Sequence, residues 1–184
     1  TLTFAEVDKY SATFATWIQQ NTDLQVGDRI AVQMPNLLQY PIVVFGAMRA
    51  GLVVVNTNPL YTAREMEHQF KDAGCKALVT LANFGHLVQE VLPRTGIRYV
   101  IISELADMLP FPKRIVVNNV VKYIKKLVPS YHLPTAIPFT QVMKANPSKF
   151  KEVTPKPDDI AVLQYTGGTT GVSKGAMLTH RSIT

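Results

Sequence analysis

GDRIAVQMPNLLQYPIVVFGAMRAGLVVV, residues 27–55, is the stretch on which the fold turns. Gly27-Asp28 breaks the chain direction. Residues 29–34 read as a buried strand, stopped by Pro35-Asn36. Residues 37–50 are too long an apolar run for a strand. They read as a helix with Pro41 in its first turn, where the missing N–H breaks no intrahelical bond. Gly51 ends it, and residues 52–55 are too short and too β-branched to be anything but a strand. Strand, helix, strand is the unit that joins two parallel neighbours through a crossover.

The same alternation continues on both sides. Upstream, Thr3 and Glu6 fit a capping box, followed by Val7, Tyr10, Phe14, Trp17 and Ile18 at helical spacing. Downstream, Asn58-Pro59 is a turn. Thr62 and Glu65 make a second capping box, opening a helix that ends near Ala73-Gly74. Residues 76–81 are a strand, Asn83 is positioned to cap a helix through Leu92, and residues 98–103 are a further strand. The expected fold class is α/β, a layered, mostly parallel sheet with helices on both faces. Right-handed crossovers make it doubly wound. Residues 1–107 form the α/β subdomain of this reading. No internal repeat and no low-complexity tract is present.

Composition narrows the function. Of 184 residues, 47% are apolar, which excludes a disordered chain. One cysteine excludes an internal disulfide and a cysteine-rich metal site. The net charge of +6 suggests an anionic partner, but it is concentrated. Between Met108 and Lys151 there is no acidic residue, whereas Lys113, Arg114, Lys122, Lys125, Lys126, Lys144, Lys149 and Lys151 are basic. Outside that stretch acidic residues outnumber basic ones, so a general nucleic-acid surface is not expected.

Residues 108–157 read as a basic, proline-punctuated connection. Within it Val117, Val120, Val121, Ile124 and Leu127 line up as one helical face, with Asn118, Lys122, Lys125 and Lys126 opposite. A helix covering the sheet and a contact with an anionic membrane both fit this pattern, and position does not decide between them.

No secretory signal pattern opens the chain, and the longest uncharged stretch, between Arg29 and Arg49, is interrupted by polar residues and prolines. A cytoplasmic compartment is expected, with peripheral contact on the inner face of a membrane and self-association left open. The chain begins without Met and closes on a polar cluster that looks like a helix start, so it reads as a fragment of a longer protein. His68, His86, His132 and His180 lack metal-ligand spacing, and no metal ligands are assigned. Cys75 is expected to be a buried apolar residue. Asp158 and Asp159 are adjacent on a strand and face opposite ways, so they are not a paired acid and base.

The chemistry is expected at the stretch Tyr165-Thr166-Gly167-Gly168-Thr169-Thr170-Gly171-Val172-Ser173-Lys174-Gly175-Ala176. Residues 159–165 read as a strand before it and 176–178 as a short strand after it, so residues 158–184 form strand, phosphate loop and strand. Four glycines in the nine residues 167–175 permit close approach of backbone to ligand. Successive N–H groups in such a turn form an anion-binding concavity. Thr166, Thr169, Thr170 and Ser173 add hydroxyl donors, Lys174 adds a mobile positive charge, and no acid comes after Asp159. It is not a Walker loop, because Ser173 precedes the lysine and Gly175 comes after it. Nor is it a dinucleotide fingerprint, since no Gly-x-Gly occurs. On composition alone, a surface hairpin with chance glycine and threonine content stays open.

The string YTGGTTGVSKG resembles the signature loop of the adenylate-forming superfamily, commonly written Y/F-T-S-G-T-T-G-x-P-K-G. Gly167 stands where the pattern has Ser, and Ser173 where it has Pro. MPNLLQYP at 34–41, NPLYTAREMEHQ at 58–69 and VVKYIKKLVPSYHLP at 120–134 resemble bacterial long-chain fatty-acid–CoA ligases. The resemblance covers essentially the whole chain. It implies an incomplete N-terminal part of the adenylate-forming fold. It also implies a two-step ligase that joins a long-chain fatty acid to coenzyme A through an acyl-adenylate, using ATP and Mg2+.

In that reading residues 165–176 bind the ATP phosphates, and Lys174 and Thr166 stabilise charge on the departing pyrophosphate. The family's adenine pocket, acidic metal ligand and C-terminal catalytic lysine have no counterpart here. Two other readings stand beside it: an aryl- or amino-acid-activating adenylate-forming enzyme, and a non-catalytic phosphate- or membrane-binding module.

Overall fold

Central strands that are apolar on both sides need cover on both sides, and helices supply it. The computed structural model describes residues 1–166 and 173–183. Among the described residues seven strands are formed: β1 (Arg29–Gln33), β2 (Val53–Asn56), β3 (Cys75–Leu81), β4 (Tyr99–Ser103), β5 (Ile137–Pro138), β6 (Ile160–Thr166) and β7 (Lys174–Thr179). They make one sheet in the order β5-β4-β3-β1-β2-β6-β7. Every neighbouring pair is parallel except β6–β7, which is antiparallel. The helices are α1 (Phe4–Asn21), α2 (Gln39–Arg49), α3 (Ala63–Asp72), α4 (Gly85–Val91), α5 (Lys113–Asn119), α6 (Phe139–Val142) and α7 (His180–Ile183).

Alternate strand residues go to opposite faces, as the pleat requires. On one face Phe14 and Ile18 of α1, Ile42 and Ala47 of α2 and Phe139 of α6 pack on Ile30, Val32, Val54 and Ile101. On the other, Met66 and Phe70 of α3 and Val88 and Val91 of α4 pack on Ala31, Val55 and Val100. Each large side chain fully buried in this way contributes about 1.5–3 kcal/mol.

Local signals start and stop these helices. Both capping boxes form: Glu6 N–H donates to Thr3 Oγ1 and Thr3 N–H to Glu6 Oε2, and Thr62 and Glu65 repeat the arrangement. The N-cap backbone N–H, followed by the threonine hydroxyl, holds each glutamate below the usual carboxylate range. Gly51, at φ +79°, turns the chain out of α2 in the left-handed conformation that favours glycine.

The structure departs from the sequence reading in four places. Asp158 and Asp159 lie in a turn ahead of β6, not on a strand. Asn83 caps nothing. It sits in a 3-10 turn, α4 starts at Gly85 without a side-chain cap, and Asn83 Nδ2 instead donates to Leu127 O at 2.8 Å. The basic helix is short: α5 runs into a π-helical turn, Val120–Ile124, with Lys125 N–H reaching back to Val120 O at 2.8 Å. An i→i+5 turn takes in an extra residue and rotates the side chains beyond it. Ile124 closes that turn and is exposed, Leu127 lies past the helix end after Lys126 at φ +50° and is exposed as well, and Asn118, ahead of the turn, faces inward and accepts from Ala106 N–H at 2.9 Å. Finally, residues 137–142 belong to the sheet layer: β5 pairs with β4, and Phe139 and Val142 are fully buried.

Candidate functional site

A parallel sheet gathers the carboxyl ends of its strands along one edge. Where successive connections leave the first strand in opposite directions, a crevice opens there. Here β1 lies between β2 and β3. The intervening helices α2 and α3 cover opposite faces. The reversal of strand order thus falls between β1 and β3, whereas a cleft of about 450 Å³ lies on the other side of β1, at the carboxyl ends of β1, β2 and β6, lined by Met34, Asn36, Tyr40, Asn56, Tyr61 and Gln164, among others.

Three polar side chains missed by the sequence reading run through the cleft. Tyr40 of α2 donates its hydroxyl to Asn56 Oδ1 at 2.9 Å, and Asn56 Nδ2 donates to Gln164 Oε1 at 2.8 Å. Desolvation at its half-buried position pushes the Tyr40 phenol up. Asn56 and Gln164 are register partners on β2 and β6. A signal for them existed. Each interrupts an otherwise apolar strand near its carboxyl end, where a polar residue has no place in a core.

The β6–β7 hairpin carries the predicted site. Tyr165, Thr166, Ser173, Lys174, Gly175 and Ala176 are described, whereas Gly167, Gly168, Thr169, Thr170, Gly171 and Val172 lie outside the described residues. Thr166 and Lys174 are cross-strand partners at the mouth of the hairpin. Partners in an antiparallel pair point to the same face. Thr166 lies two residues beyond Gln164, so hydroxyl, ammonium and the Asn56–Gln164 chain share that face. Both Thr166 and Lys174 are exposed, and Lys174 forms no ion pair among the described residues.

Tyr165 has a different position from the hydroxyl donors beside it. It faces the α3 side, 7% exposed, and donates its hydroxyl to Asp72 Oδ2 at the end of α3. Burial, then the hydrogen bond and charge of Asp72, raise its phenol well above the ordinary value. Gly175 lies directly against its ring: a Cβ there would come within 2.8 Å of Tyr165 Cε2. The tyrosine thus ties the base of the loop to α3, and the glycine lets β7 close over the ring.

The remaining candidates stay apart. Asp158 pairs with Arg181 at 2.9 Å, while Asp159 Oδ2 accepts from Lys156 N–H. Cys75 is buried at the start of β3, and desolvation pushes its thiol up to about 12. No group of three His, Cys, Asp or Glu side chains suited to a metal occurs among the described residues. Among the same residues no helix is long and apolar enough to cross a membrane.

This mostly parallel sheet with helices on both faces matches the fold of solved adenylate-forming ligases. A long-chain-fatty-acid–CoA ligase from Archaeoglobus fulgidus superposes with a TM-score of 0.73 at 25% identity, over 97% of this chain and 30% of that one. A benzoate CoA ligase from Burkholderia xenovorans LB400 superposes with a TM-score of 0.72 at 20% identity, over 98% of this chain and 29% of that one. The second likeness carries the fold alone. The AMP-binding enzyme description matches residues 1–184, and the chain belongs to that family. It is 52% identical to the long-chain-fatty-acid–CoA ligase of Escherichia coli O6:H1 over 99% of its own length and 33% of the relative. The chain therefore spans about a third of the length of the curated relatives it matches.

Proposed function

We propose that this chain is the phosphate-holding part of a ligase that activates long-chain fatty acids with ATP and passes them to coenzyme A. The observation that carries the reading is the 52% identity to a curated long-chain ligase along the whole chain. The exposed Thr166–Lys174 pair at the mouth of the hairpin supports it chemically.

In the first step a fatty carboxylate attacks the α-phosphate of ATP, and pyrophosphate departs. Two anions must meet and a third must leave. A hydroxyl donor and an ammonium on one strand-anchored face lower that barrier by positioning the phosphates and stabilising charge on the leaving group. The coenzyme A thiol then displaces AMP to give the thioester. The described residues offer donors for phosphate oxygens and no carboxylate cluster for an ion. A Mg2+ bound with the nucleotide would supply neutralisation of phosphate charge, while Thr166 and Lys174 would meet phosphate oxygens themselves. The proposed compartment is the cytoplasm, with peripheral contact at an anionic membrane surface.

Pyrophosphate exchange by the full-length protein tests the reading. Exchange driven by long-chain fatty acids is expected. Exchange driven instead by aromatic or amino acids, or by none of these, would refute it. Lys174→Ala should lower adenylate formation far more than thioester formation from supplied acyl-adenylate. Equal losses would remove the pyrophosphate role of Lys174.

A further inference from the structure

We propose that the outer face of residues 111–127 is a docking surface for an anionic bilayer, which assigns a site to the peripheral contact proposed above and rests on that reading. This segment is fastened to the body yet shows it only a narrow stripe. Arg114, Val117, Asn118 and Val121, at spacing i, i+3, i+4, i+7, are half-buried. Asn118 holds one end through Ala106 N–H and Asp107, and the Asn83–Leu127 hydrogen bond holds the other. Outside that stripe, Val120 apart, the side chains are exposed, although Ile115, Lys122 and Tyr123 also line a cleft of about 410 Å³ shared with Glu104 and Asp107. Phe111 is 75% exposed, Tyr123 65% and Ile124 71%, with Ile115, Val116 and Leu127 also exposed. Not one residue of α5 or of the π turn is buried.

Charge decides what covers this face. Lys113, Lys122, Lys125 and Lys126 are interleaved with the apolar side chains, and all four are exposed. None of the eight basic residues between 108 and 151 forms an ion pair among the described residues, whereas six of the eleven elsewhere do: Arg49, Lys71, Lys76, Arg94, Arg98 and Arg181. The surplus positive charge is thus concentrated where aromatic and aliphatic tips project. A second copy meeting this face with its own would set lysines against lysines. An acidic protein surface would satisfy the lysines but leave Phe111, Tyr123 and Ile124 to find pockets. An anionic bilayer takes both at once: ammonium groups lie among the headgroups while apolar tips enter the acyl boundary. Beside the segment an apolar groove of about 520 Å³, lined by Leu60, Leu105, Val121 and Leu127 among others, opens next to the same surface.

The test is co-sedimentation of the full-length protein with vesicles of equimolar phosphatidylglycerol and phosphatidylcholine, beside vesicles of phosphatidylcholine alone. Binding to the anionic vesicles that weakens with salt is expected. Each lysine near such a surface contributes about fivefold in affinity, so Lys122→Gln, Lys125→Gln and Lys126→Gln together should weaken binding on the order of a hundredfold. Tyr123→Ser with Ile124→Ser should also weaken it, with the charge unchanged. Pyrophosphate exchange should stay at the unaltered level in both variants, which certifies that they fold. Unaltered protein that ignores anionic vesicles would overturn the peripheral-contact reading itself. Unaltered protein that binds while both variants bind equally well would overturn only the assignment to this face, as when the rest of the full-length protein covers it. Loss in the lysine variant alone would mark a purely electrostatic contact and overturn the inserted apolar tips.

Discussion

Gly175→Ala should loosen the base of the hairpin, and its cost can be worked from one contact. The new Cβ would stand 2.8 Å from Tyr165 Cε2 and 3.0 Å from Cζ. Ordinary carbon contacts lie near 3.5–4.0 Å, so ring or strand must give by about 1 Å. The ring is 7% exposed and its hydroxyl is bound to Asp72, so it cannot swing away freely. Overpacking of this kind costs about 1–3 kcal/mol, and losing the buried hydroxyl's partner costs a similar amount. Alanine regains roughly 0.5–1 kcal/mol over glycine in a strand. The net expectation is a loss of about 3 kcal/mol, with Lys174 displaced from Thr166 and ATP-dependent pyrophosphate exchange reduced. A double-mutant cycle in urea isolates the cause. In a Tyr165→Leu background the same Gly175→Ala change should cost almost nothing, because the ring it strikes is gone. Equal costs in both backgrounds would refute the role given to this contact.

Three further outcomes are expected. Asn56→Ala breaks the Tyr40–Asn56–Gln164 chain and should cost about 1–2 kcal/mol, read as a shift in urea midpoint; no shift would mean that solvent replaces the chain. Thr62→Ala removes a capping box and should cost roughly 1 kcal/mol. Because Glu65 is held below its ordinary value in the fold, the stability it adds is full above that value and lost as pH falls through the lowered one; the variant should therefore show a shallower acid limb, and an unchanged limb would count against the box. The Cys75 thiol, pushed up to about 12 by burial, should resist a disulfide-exchange reagent near neutral pH and react promptly in urea; fast labelling of the folded protein would show that β3 opens.

What could be read in the residues was local. Thr3–Glu6 and Thr62–Glu65 carry their helix starts within four positions, and Gly51 carries its turn in its own backbone freedom. The alternation of residues 27–55 reports strand, helix and strand because each periodicity is a property of neighbours along the chain. The stretch 165–176 stands out in the sequence for the same reason, since hydroxyls, glycines and one lysine lie together.

Other features became visible only in three dimensions. That Thr166 meets Lys174 on the face of Gln164 and Asn56 depends on the pairing of β6 with β2 and β7. Residues 56 and 164 are far apart in the chain, and nothing local couples them. Asn83 looked like a cap because asparagine caps helices, but its amide went to Leu127, a partner no local pattern could name. The lysine-rich helix looked evenly amphipathic through Leu127, but it ends in a π turn at Ile124, and Ile124 and Leu127 are both exposed. Helix and strand are set by forces between near neighbours. Faces, registers and exposure are set by which distant surfaces exclude water together, and only the folded chain decides that.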